Sequence, residues 1–109
     1  MDFKFIESEK AVAVISCKSY LKSVTAEHRE YCQRVRKYVD QVWLFAECCP
    51  PQVVSRLRKA ARSAGYAEFW YLYPWDGERA FEPNQQGWLD FIKQVRKLAS
   101  SRQRRGSAR

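Results

Sequence analysis

Phe3 and Phe5 alternate with polar neighbours over residues 2–6, the period of a strand with one buried face. Glu7, Ser8, Glu9 and Lys10 form a polar turn, and residues 11–17 (AVAVISC) follow as a continuous run of small and β-branched side chains. That run suits a buried central strand and is too short for a helix, so the two segments predict a hairpin. Across residues 26–39 the period changes. Val24, His28, Tyr31, Val35, Tyr38 and Val39 recur at helical spacing, and Glu27, Arg29, Glu30, Arg34, Arg36 and Lys37 occupy the other face. Thr25 is the expected N-cap, with His28 standing where a full capping box has Glu.

Residues 41–47 (QVWLFAE) read as a second buried strand, which Pro50 and Pro51 stop. Proline is tolerated in a first helical turn, so the same pair opens a helix over 52–64. In it Val53, Leu57, Ala60 and Ala64 face inward, Arg56, Lys59 and Arg62 face outward, and Gly65 is the C′ residue. Residues 67–73 (AEFWYLY) are the next strand, and 74–77 a turn leading into a loop. The last helix covers 88–99, with Trp88, Phe91, Ile92, Val95 and Leu98 inward. Residues 100–109 (SSRQRRGSAR) read as a disordered basic tail. The order predicts one small α/β domain over 1–99: an N-terminal β-hairpin followed by αβαβα, with a mixed sheet covered by helices.

Charge adds a partner to this picture. Twenty Lys and Arg against twelve Asp and Glu leave a net +8, a self-repelling excess suited to an anionic partner, nucleic acid first among them. Arg56, Arg58, Lys59 and Arg62 fall on one predicted helix, and Lys93, Arg96 and Lys97 on another. Arg102, Arg104, Arg105 and Arg109 follow in the tail. Such side chains neutralise phosphates without reading sequence, though solvated helix faces would look the same. Phe69, Trp70, Tyr71, Tyr73 and Trp75 form an aromatic strand and turn, whose outward rings could stack on bases or join a second copy in a homodimer.

Other chemistries are disfavoured. Four glycines leave no phosphate-binding loop, and one histidine leaves little room for Ser–His or Cys–His catalysis. Cys17, Cys32, Cys48 and Cys49 lack zinc-ligand spacing and read as reduced thiols of a cytoplasmic protein. No apolar stretch approaches the roughly 20 residues of a membrane span, and no leader sequence is visible.

Residues 11–20, AVAVISCKSY, then a helix and a further strand, resemble the PD-(D/E)xK, or restriction-endonuclease-like, nuclease superfamily. The likeness is to its Mrr-like and Holliday-junction-resolvase-like branches, and it covers roughly residues 2–73. In that family the second hairpin strand ends in an acidic residue, any residue, then lysine. The resemblance implies a restriction-endonuclease-like core, here shortened at its N-terminus. It also implies a metal site in which an aspartate of the first strand and the acidic residue of the second hold Mg²⁺. The lysine, on the same strand face, stabilises developing charge or orients water. Carried over by position, Asp2 matches the metal aspartate and Lys18 the lysine, but Ser16 occupies the acidic position. A serine hydroxyl is a poor ligand beside a carboxylate.

Three outcomes are open. The domain binds nucleic acid, DNA rather than RNA, with phosphodiester hydrolysis weak or lost and no metal required. Or it is a Mg²⁺-dependent nuclease in which Glu47 supplies a substitute carboxylate. Or it is a small protein-interaction domain with no nucleic-acid role, in which Lys18 merely ends a buried strand as a solvated charge.

Overall fold

In a computed structural model of the chain, the described backbone covers residues 2–7, 10–79 and 82–107, and the described side chains 13–79 and 82–100. The two N-terminal runs form the expected hairpin: β1 (Asp2–Glu7) pairs antiparallel with β2 (Lys10–Tyr20), with a register irregularity between Phe5 and Ile6. β2 continues past Cys17 because its end is held by the neighbouring strand β3 (Val39–Cys49), with Lys18 opposite Ala46 and Tyr20 opposite Cys48. Strand pairing here overrides the polar character of Lys18 and Ser19.

Between these strands lies α1 (Ala26–Val35). It stops short of the predicted end at Val39, because Val39 is drawn into β3 opposite Ala11. The backbone N–H of Arg36 turns back to the Cys32 carbonyl at 3.0 Å, and that of Tyr38 to Val35 at 2.9 Å. Tyr38, expected on the apolar face, is therefore in the turn and 71% exposed, while Cys32 is the side chain α1 buries completely.

Pro50 and Pro51 act as predicted, opening a 3₁₀ turn (Pro51–Val53) that runs into α2 (Val54–Ala64). α2 buries Leu57, Ala61 and Ala64, so Ala61 rather than Ala60 completes the inward face. Gly65 caps the helix at φ 109°, a left-handed conformation that a side chain would resist. Tyr66 is buried just beyond, and its hydroxyl donates to the His28 carbonyl at 2.8 Å, tying the end of α2 to α1.

The last strand, β4 (Glu68–Pro74), pairs parallel with β3. The four strands lie in the order β1-β2-β3-β4. The expectation of a mixed sheet is thereby narrowed: β2, β3 and β4 form a three-stranded parallel unit, and the antiparallel relation is confined to β1 at the edge. Alternation along the strands divides the buried side chains between two faces. Val14, Val42, Leu44, Ala46 and Phe69 form one core with Cys32 of α1 and with Leu57, Ala61 and Ala64 of α2. On the other face Trp43, Phe45 and Trp70 surround Phe91 of the C-terminal helix α3 (Gln85–Ser107) at ring-centroid distances of 6.0, 5.2 and 5.7 Å.

α3 differs from its predicted span at both ends. Asn84 sets the start: its side-chain oxygen accepts from the Gly87 N–H at 3.1 Å, its amide group donates to the Tyr71 carbonyl at 3.2 Å, and its own N–H reaches Leu72 at 2.7 Å. The helix is thus capped and pinned to β4 by one residue. At the other end the backbone stays helical through Ser107, where a disordered tail from residue 100 was expected. Nothing from Ser100 to Arg105 breaks a helix, since Gln and Arg are good helix formers and no proline intervenes. Residues 108 and 109 lie outside the described residues. No helix among the described residues is long and apolar enough to cross a membrane.

Candidate nucleic-acid interface

Backbone register brings the sequence motif together. Asp2 is the register partner of Ser16 across the hairpin, and Lys18 follows two residues along the same strand. Ser16 in turn pairs with Leu44, and Lys18 with Ala46, in an unbroken parallel register. Ser16 and Lys18 therefore share the strand side of Val14 and Leu44, the side covered by α1 and α2. The side chain of Asp2 lies outside the described residues.

Depth separates the two. Ser16 is 1% exposed, and its hydroxyl has no hydrogen-bond partner among the described residues. Lys18 is half-buried and close enough to the start of α1 to act on His28. Burial first, and the Lys18 charge second, hold the His28 imidazole below its ordinary pKa of 6.5, with Glu27 opposing them. The neutral ring has a structural task. Its Nδ1 accepts from the Thr25 N–H at 3.0 Å while the Thr25 hydroxyl accepts from the His28 N–H at 3.3 Å, a capping box closed by histidine in place of glutamate.

Glu47 does not join this group. It is exposed, and it is one residue on from Ala46, the partner of Lys18, so it sits on the other side of β3. Ser16, at the position where the expected site would have its second carboxylate, is a neutral, buried hydroxyl, and no group of three His, Cys, Asp or Glu side chains able to hold a metal occurs among the described residues. None of the four cysteines forms a disulfide, and three of them are poor nucleophiles: burial raises the thiol pKa of Cys32 and Cys48, and that of Cys49 is pushed up to about 11.

The basic side chains divide by element. Arg56, Arg58, Lys59 and Arg62 are exposed on α2 and, with Ser55, line a shallow groove of about 440 Å³. Lys93, Arg96 and Lys97 are exposed on α3, which also carries Asp90. Arg102, Arg104 and Arg105 lie on the backbone continuation of that helix, with side chains outside the described residues.

The aromatic strand is mostly internal. Phe69 and Tyr71 join the core beneath α1 and α2, and Trp70 joins the cluster beneath α3, so helices cover both sides of β4. Alternation alone could not show that both faces are covered. Exposed aromatic side chains among the described residues include Tyr20 at the carboxyl end of the sheet, where it meets Trp75 edge-on at 5.3 Å, Tyr38 in the turn after α1, and Trp88 on α3, which is 42% exposed beside the 54% exposed Leu89. Two features of the interior went unread in the sequence. Both had usable signals: Cys32 lies at helical spacing from His28 and Val35, and Asn84 is an N-cap type three residues before Gly87.

Compared with known proteins, the chain matches no protein-family model, no curated protein and no solved structure. What it could do therefore rests on the site itself.

Proposed function

We propose that this chain is a nucleic-acid-binding, nuclease-like domain in which phosphodiester hydrolysis is weak or lost. The observation that carries the reading is the register of the hairpin. Asp2 stands opposite Ser16 and Lys18 follows on the Ser16 side of the strand, the arrangement a PD-(D/E)xK site uses, with a hydroxyl where its second carboxylate belongs. An antiparallel hairpin feeding a parallel strand–helix–strand–helix–strand run, in the order β1-β2-β3-β4, agrees with that family's core. Without the second anionic ligand, affinity for a divalent cation falls steeply, while the basic surface that would hold the phosphate backbone is untouched. DNA is the favoured partner.

The test is incubation of the purified chain with duplex DNA and Mg²⁺ or Mn²⁺. Little or no cleavage is expected from the natural sequence, a gain from Ser16→Glu or Ser16→Asp, and loss of that gain on adding Lys18→Ala. Retention on DNA that vanishes as salt rises is expected throughout. Vigorous cleavage indifferent to Lys18→Ala, or no retention at low salt, would sink the reading.

A protein-interaction domain is the second reading. The exposure of Trp88 beside Leu89 on α3 favours it, since tryptophan is enriched at interfaces and an apolar neighbour extends the patch. Concentration-dependent self-association by sedimentation, lost in Trp88→Ser, is its signature.

A further inference from the structure

Ser55, Arg58, Lys59 and Arg62 recur on α2 at the spacing that places side chains on one helix face. That face is opposite Leu57, Ala61 and Ala64, which anchor the helix to the sheet. α2 contains no acidic residue, and no carboxylate pairs with its four basic side chains among the described residues. Arg58 and Arg62 are a like-charged i, i+4 pair, so the helix carries this stripe against its own repulsion. The Arg58 guanidinium is also held 5.9 Å over the ring centroid of Phe69, which fixes one cation against a buried side chain. α3 differs here, because Asp90 lies one turn before Lys93.

From Ser55 to Arg62 the stripe rises about 10 Å at the α-helical 1.5 Å per residue. One strand of a duplex presents a phosphate roughly every 3.4 Å along its axis, so the stripe reaches about three successive phosphates. We infer that the outer face of α2 is a phosphate-backbone clamp that grips one strand of a nucleic acid without reading its bases, and that this face rather than α3 carries the binding. The inference rests on the nucleic-acid reading and narrows it to one surface. Arg56 lies to the side of the stripe and serves as the groove's flank. Ser16 is beneath the helices and the stripe is on their outer side, so the two are separate places on the molecule.

The experiment measures binding of a mixed-sequence DNA duplex across a salt series. It compares the natural chain, Lys59→Gln/Arg62→Gln on α2 and Lys93→Gln/Arg96→Gln on α3, with thermal melts to show that all three are folded. The α2 pair should lower affinity roughly tenfold and reduce the slope of log K against log salt by about two, while the α3 pair stays near the natural chain. Equal losses in both, or a loss confined to α3, overturn the assignment to α2 and leave nucleic-acid binding standing. A natural chain with no salt-dependent binding removes the underlying reading instead. Binding to phosphatidylserine vesicles but not to DNA, abolished by the α2 pair, overturns the choice of partner.

Discussion

A single hydroxyl illustrates how costly a buried polar atom is. Ser16 Oγ lies in the core beside Leu44 with no hydrogen-bond partner among the described residues, so folding strips it of water without a return from them. Ser16→Ala is therefore expected to stabilise the fold by about 1 kcal/mol in urea unfolding; a clear loss of stability would mean that the hydroxyl is satisfied in solution. His28 makes a second prediction at this scale. Its folded-state pKa is lowered by burial and by Lys18, so the unfolded chain binds the proton first as pH falls through 6.5. Stability is then full above 6.5, declines between 6.5 and the lowered folded value, and levels off below it. Protonation also removes the Nδ1 acceptor that closes the capping box. Urea midpoints taken from pH 7.5 to 5 should show this decline, and His28→Gln should flatten it. At any pH, Thr25→Ala should cost about 1 kcal/mol by opening the cap.

Among the elements, α2 is the most sharply divided, with one face in the core and the other carrying positive charge that no carboxylate pairs among the described residues. Its helical period, its proline start and its glycine stop were all legible, because each is a local backbone preference. Gly65 permits a quantitative check. A Cβ there would sit in a strained left-handed conformation, at φ 109°, and would also meet the Arg36 guanidinium at 3.0 Å and Cys32 Sγ at 3.4 Å. Gly77 has a similar φ of 102° and open space around it. Both alanine variants should lower the melting point, Gly65→Ala by the larger step of about 1–2 kcal/mol and Gly77→Ala by roughly half of that. Equal effects would show that backbone strain alone decides. The candidate site was less legible than this helix. The spacing of Ser16 and Lys18 could be read, but the burial that separates them and the opposite siding of Glu47 depend on neighbouring strands.

At the scale of the molecule, the sheet is held between two unlike layers. α1 and α2 press aliphatic side chains onto Val42 and Leu44, while α3 rests on a cluster of rings. Phe91 is the centre of that cluster, meeting Trp43, Phe45, Trp70 and Trp88 within 6.0 Å. Phe91→Ala should cost about 2–3 kcal/mol, below the value for a fully buried ring because Phe91 is only half-buried. It should also weaken the near-ultraviolet circular dichroism of the tryptophans while leaving most helical signal intact. Retention of the near-ultraviolet spectrum would mean that α3 is anchored elsewhere.

Periodicity, capping residues and the prolines were enough to dictate from the chain alone which stretches are strands and which are helices, since those preferences act over a few residues. Pairing decided the rest. Only the packed sheet settles that β2 runs on to Tyr20, that Val39 leaves its helix for a strand, and that Phe69 and Trp70 pack against helices on opposite sides. Each of these outcomes is a contact between segments distant in sequence, where hydrogen bonding and burial outweigh local propensity.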